Sequence, residues 1–107
     1  GDQGKRADFY LGQILLERGK DQEALDQFIK CQPRLDSPDF GIPKDQVHSA
    51  LALAYQKLGK NEQAKAAWGM VVEESTGEAK IKAKKALQEV SRKPLASTKK
   101  SIRPKKK

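Results

Sequence analysis

Few residues in this 107-residue chain have the types and spacing that covalent chemistry needs. His48 is the one histidine, and Asp45 lies three residues before it. On a helix that spacing sets a carboxylate beside the ring and could orient an imidazole. Ser49 is the adjacent hydroxyl, but neighbouring helical residues point apart, so the two make no dyad. His48 reads instead as a packing or groove residue. Cys31, the one cysteine, excludes an intrachain disulfide and a cysteine-cluster metal site. Close to Phe28 and Leu35, it reads as a small buried residue rather than a reactive thiol. Glu73 and Glu74 end a helix and read as a solvated face rather than as paired acids. Gly4, Gly12 and Gly19 are too widely spaced for a phosphate-cradling loop. The expectation is a protein with no catalytic residues, no cofactor and no metal.

Charge offers a second kind of chemistry. The chain carries 22 basic and 14 acidic residues, a net charge of +8. Arg92, Lys93, Lys99, Lys100, Arg103, Lys105, Lys106 and Lys107 are eight of those basic residues, with no acidic residue among them. The 14 basic residues left in 1–91 balance all 14 acids. Pro94 and Pro104 forbid a continuous helix in 92–107. Leu95 and Ile102 are too few apolar groups to offset an ordering cost of about 1–2 kcal/mol per residue. The expectation for 92–107 is a disordered basic tail. Lys99, Lys100, Arg103, Lys105, Lys106 and Lys107 would attract phosphates of nucleic acid or of anionic lipid. The same run fits a nuclear-localisation-like pattern, or a merely solubilising segment. No aromatic is interleaved, so base stacking is not supported.

The elements that must position these groups are helices. Between breakers, every segment has a helical period and none alternates as a strand would. Helices are predicted at about 5–18, 22–32, 44–58, 62–74 and 77–91. Phe9, Leu11, Ile14, Leu15 and Leu16 mark the first stripe, and Ala24, Leu25, Phe28 and Ile29 the second. Gly19 and Gly59 are placed to end helices, and Asp21 and Asn61 to cap the next ones. Ser75-Thr76-Gly77-Glu78 fits a capping box for the fifth. Pro33 stops the second helix, and Pro38, Gly41 and Pro43 mark a loop before the third. No apolar run approaches the roughly 20 residues of a membrane span.

Two of these helix pairs repeat. At an offset of 40, Leu11-Gly12 falls on Leu51-Ala52, Leu15 on Tyr55, Gly19 on Gly59, Ala24 on Ala64 and Phe28 on Trp68. Small residues at 12/52 facing 24/64 let antiparallel helices approach, and the aromatic at 28/68 fills the space between pairs. This pattern resembles the tetratricopeptide repeat family. The likeness covers about 6–74, and 77–91 resembles the capping helix that follows the last repeat. Asp8 and His48 stand where the family's early aromatic is expected. The period of 40 exceeds the family's 34 or so, and the extra residues are assigned to the Asp36–Pro43 loop.

The resemblance implies an all-α fragment of an α-solenoid, five helices in one domain over 1–91. Its repeats would span about 5–36 and 44–76, with the capping helix at about 77–91. It also implies a non-enzymatic scaffold that binds a peptide or helix on the concave face. By position, Arg6, Phe9, Gln13, Leu16 and Glu17 would line that face, with Gln46, Ser49, Leu53, Gln56 and Lys57 from the second unit. Phe9, Leu16 and Leu53 suit a partner's apolar anchors, or else they contact a neighbouring helix or an upstream repeat. The family's carboxylate clamp is missing, since Phe9, Gln13 and Ala50 hold its places. Lys80, Lys82, Lys84 and Lys85 would make a polar C-terminal cap. The N-terminal end has none, which invites self-association or marks a cut from a longer array. Gly1-Asp2-Gln3-Gly4, without Met, reads as an added remnant or an internal cut. The lone cysteine favours a reducing cytoplasm, with any upstream signal or anchor outside the sequence.

Overall fold

A computed structural model describes residues 2–92, with side chains from Arg6 onward. Among the described residues there are five α-helices and no strand. They are α1 (Asp2–Glu17), α2 (Asp21–Cys31), α3 (Lys44–Lys57), α4 (Asn61–Glu74) and α5 (Gly77–Arg92), with a short 3-10 turn at Gln32–Arg34. The chain packs as two antiparallel hairpins, α1 on α2 and α3 on α4; α2 meets α3 between them, and α5 lies against α4. None of these helices is long and apolar enough to cross a membrane.

One turn is used twice. Gly19 and Gly59 sit at φ of 80° and 77°, a region that a side chain resists. The Lys20 amide bonds Leu15 O at 2.9 Å and the Gly19 amide bonds Leu16 O at 3.1 Å. Lys60 to Tyr55 and Gly59 to Gln56 repeat this at 2.8 and 3.0 Å. That pair of bonds is the Schellman arrangement, which satisfies the last carbonyls of α1 and α3. It delivers the chain to the next helix one residue sooner than the sequence suggests. Lys20 and Lys60 take the cap positions without a side-chain cap bond, and Asp21 and Asn61 are already helical. The expected caps are therefore first-turn residues, where Asp21 adds a charge favourable to the helix dipole.

The capping box is also corrected. Ser75 Oγ donates to Val71 O at 2.6 Å, closing the end of α4 rather than opening α5. At the other end, α5 keeps Arg92, which pairs with Glu89 at 2.7 Å. Arg92, expected in the basic tail, thus belongs to α5, and the rest of that segment, 93–107, lies outside the described residues.

The core runs through both hairpins and includes Phe9, Leu25, Phe28, Val47, Leu51, Trp68, Val71 and Val90. Gly12 is buried beside it, and a Cβ there would lie 2.5 Å from the Phe28 ring. The wall that demands a small residue is thus Phe28 rather than Ala24. The loop before α3 contributes Phe40 and Ile42, 1% and 7% exposed. The expected α1 stripe divides: Phe9 is buried, Leu15 and Leu16 are half-buried, and Leu11 and Ile14 face outward. Ile29 of the α2 stripe is also exposed. Among the described elements α1 packs mainly on α2 and touches α3, and Leu11 and Ile14 on its outer face stay open to solvent.

Candidate functional site

A groove of about 600 Å³ opens between α1 and α3. Helical spacing builds both walls, because residues three or four apart share a face. From α1 come Phe9, Gln13, Leu16 and Glu17, and from α3 come Asp45, Gln46, Ser49, Ala50 and Leu53. Phe28 of α2 and Ala79 at the start of α5 complete the lining. Phe9 and Phe28 form the floor, their ring centroids 5.8 Å apart and their planes tilted by 52°. Above them Leu16 is half-buried and Leu53 is 43% exposed. Gln13, Gln46 and Ser49 offer hydrogen-bonding groups beside the apolar floor. The charged residues of the lining are Glu17 and Asp45, both acidic.

Seven of the ten positions expected on a concave face meet at this groove: Phe9, Gln13, Leu16, Glu17, Gln46, Ser49 and Leu53. Arg6, Gln56 and Lys57 do not line it. The Arg6 guanidinium lies against Gly41 of the loop, where an added Cβ would meet its Nη1 at 2.6 Å. Gln56 turns toward α4 and accepts the Trp68 indole N–H at 2.6 Å. Lys57, the last residue of α3, is exposed outside the groove. Asp45, Phe28 and Ala79 line it unanticipated, and Ala50 lines it from a clamp place. Asp45 was within reach of sequence reasoning, since it stands four residues before Ser49 and eight before Leu53 on one helical face.

His48 belongs to another part of the molecule. Its Nδ1 lies 2.7 Å from Glu74 Oε1, tying the first turns of α3 to the last turn of α4. Asp45, whose spacing could have set it beside the ring, lines the groove instead, and Glu74 is half-buried against the imidazole rather than solvated. The cavity beside His48, about 270 Å³, is lined by Gln32, Leu51, Tyr55, Gln63, Ala66, Ala67 and Met70, with no serine, threonine or cysteine. Cys31 is fully buried, and its thiol lies 3.6 Å from Gln27 O. Burial pushes that thiol's pKa up, Asp8 adds to the rise, and Arg34 opposes it. Among the described residues, no three of His, Cys, Asp or Glu gather as metal ligands. Lys99, Lys100, Arg103, Lys105, Lys106 and Lys107 lie outside the described residues.

Comparison of the chain with family models, curated proteins and solved structures returns no significant match.

Proposed function

We propose that the chain is a non-enzymatic binding module that holds a peptide segment or helix of another protein in the α1–α3 groove. The observation that carries this reading is the groove's make-up: an apolar floor with an exposed leucine above it, ringed by amides and acids. The Phe9–Phe28 pair is fixed by the core, so the floor exists before any partner arrives. Leu53 contributes little to folding where it stands, since 43% of it is open to solvent. A volume of about 600 Å³ lies within the roughly 300–1,000 Å³ of ordinary ligand sites. It accommodates one or two large apolar side chains, the usual anchors of helix-in-groove and extended-peptide recognition. The duplicated glycine turn and the recurrence of small and aromatic positions at an offset of 40 support a tetratricopeptide-like scaffold.

The test is selection of a random twelve-residue peptide library on the full-length chain, followed by NMR shift mapping of the recovered peptides. Recovered peptides should carry a large apolar residue and shift the amides of Gln13, Leu16, Gln46 and Leu53. Peptides that bind but shift only residues around Met70 and Ala66 would overturn the assignment to this groove.

A further inference from the structure

The groove and the basic end of the chain complement each other. Glu17 and Asp45 are the charged groups of the lining, and neither makes an ion pair among the described residues. Residues 93–107 carry seven basic side chains and no acidic one. Within them Ile102 stands between Lys100 and Arg103, an apolar anchor with cations on both sides. That order matches a Leu16–Leu53 surface with carboxylates beside it.

We propose that Ile102 and its basic neighbours dock into the groove of their own chain and compete there with outside peptides. This inference rests on the reading of the groove as a peptide-binding surface. Chain geometry selects the anchor. Helix α5 starts at the groove with Ala79, and its thirteen further residues to Arg92 carry the chain about 20 Å away at a 1.5 Å rise. Leu95, three residues beyond Arg92, can return at most about 10 Å. Ile102, ten residues beyond, can return about 33 Å and so reaches the groove. A tether of about ten residues gives an effective concentration of about millimolar, so even a weak contact occupies the groove for much of the time. Electrostatic attraction between the lysines and the two carboxylates makes that occupancy sensitive to salt. An outside peptide must then displace the tail, and losing the tail's anchor strengthens outside binding.

The experiment is paramagnetic relaxation in the full-length chain, with a nitroxide on Ser101→Cys in a Cys31→Ala background. Docking predicts selective broadening of the amides of Gln13, Glu17, Gln46, Ser49 and Leu53, with Gln63, Ala66 and Met70 spared. The broadening should fade at about 1 M salt, where the screening length is about 3 Å. It should fade with Ile102→Ser and persist with Leu95→Ser. Ile102→Ser should also tighten a library-selected peptide by about two- to tenfold. Absence of groove broadening, or equal broadening over the whole surface, overturns the proposal. Broadening carried from a spin-labelled chain to a separate isotope-labelled chain overturns it in favour of a second copy as occupant. Selected peptides that shift the groove while the nitroxide leaves it untouched sink the tail contact alone. A broadened groove that no selected peptide reaches sinks the outside-partner reading alone.

Discussion

Leu11 and Leu51 hold the same place in the two hairpins, 40 residues apart, yet Leu11 is 44% exposed and Leu51 is 1% exposed. Ile14 and Ala54 differ in the same way, at 48% and 0%. The hairpins share a turn, a small residue and an aromatic wedge, so local sequence does not explain the contrast. Neighbours do. The second hairpin is packed between α2 and α5, whereas Leu11 and Ile14 on the outer side of the first stay open among the described residues. The wedges differ as well. Phe28 is wholly buried and packs at a tilt against Phe9, while Trp68 keeps a polar tip and bonds Gln56. Helical pattern therefore sets which face is apolar, and position in the stack sets whether that face is buried.

The largest effect should come from the wedge of the second hairpin. Trp68→Ala should cost about 3–5 kcal/mol, enough to unfold so small a domain. Trp68→Phe keeps one aromatic ring in place but loses part of the wedge's volume and the bond to Gln56, which should cost less, about 1–2 kcal/mol. Urea melts followed by circular dichroism measure both, and near-equal losses would show that the indole N–H rather than the ring is what matters. Next come the paired leucines. Leu51→Ala should cost about 2–4 kcal/mol, and Leu11→Ala no more than about 0.5. Equal costs in the same melts would mean that the outer face of α1 is covered in solution.

The turn and the groove positions were legible because both obey short-range rules. Gly19 and Gly59 announce left-handed helix ends, and Phe9, Gln13, Leu16 and Glu17 follow helical spacing. The features that escaped are long-range. Phe40 and Ile42 sit in a loop without periodicity, so nothing local marks them as core. The His48–Glu74 contact joins residues 26 apart in sequence, and each has a plausible nearer environment. Ser75 satisfies a capping pattern on paper, but the Val71 carbonyl behind it competes for the hydroxyl and wins. Arg6 shares the groove's helical face, yet the loop at Gly41 offers its guanidinium a closer surface.

Two glycines sharpen the contrast further. A Cβ at Gly12 meets the Phe28 ring at 2.5 Å, whereas at Gly69 it meets nothing within 4 Å. Gly12→Ala should destabilise by about 1–3 kcal/mol despite alanine's better helix propensity. Gly69→Ala should stabilise by about 0.5–1 kcal/mol. A higher melting temperature for Gly12→Ala would show that the α1–α2 approach is looser than its geometry. The smallest effect is kinetic. Cys31 is fully buried with its thiol pKa raised, so its reaction with a disulfide reagent at neutral pH should be limited by opening of the fold. A rate near that of a free thiol would contradict its placement.

If the α1–α3 groove is the binding surface, two residues of equal exposure should respond differently to the same change. Leu53 lines the groove and Met70 lines the cavity beside His48, and each is 43% exposed. Titration of one library-selected peptide into full-length Leu53→Asp and Met70→Asp compares the two faces at matched risk to the fold. Leu53→Asp should lose about tenfold or more in affinity, as expected for removing an apolar anchor, with Met70→Asp unchanged. Unchanged binding to Leu53→Asp, or an equal loss in both variants, would contradict the groove as the binding surface.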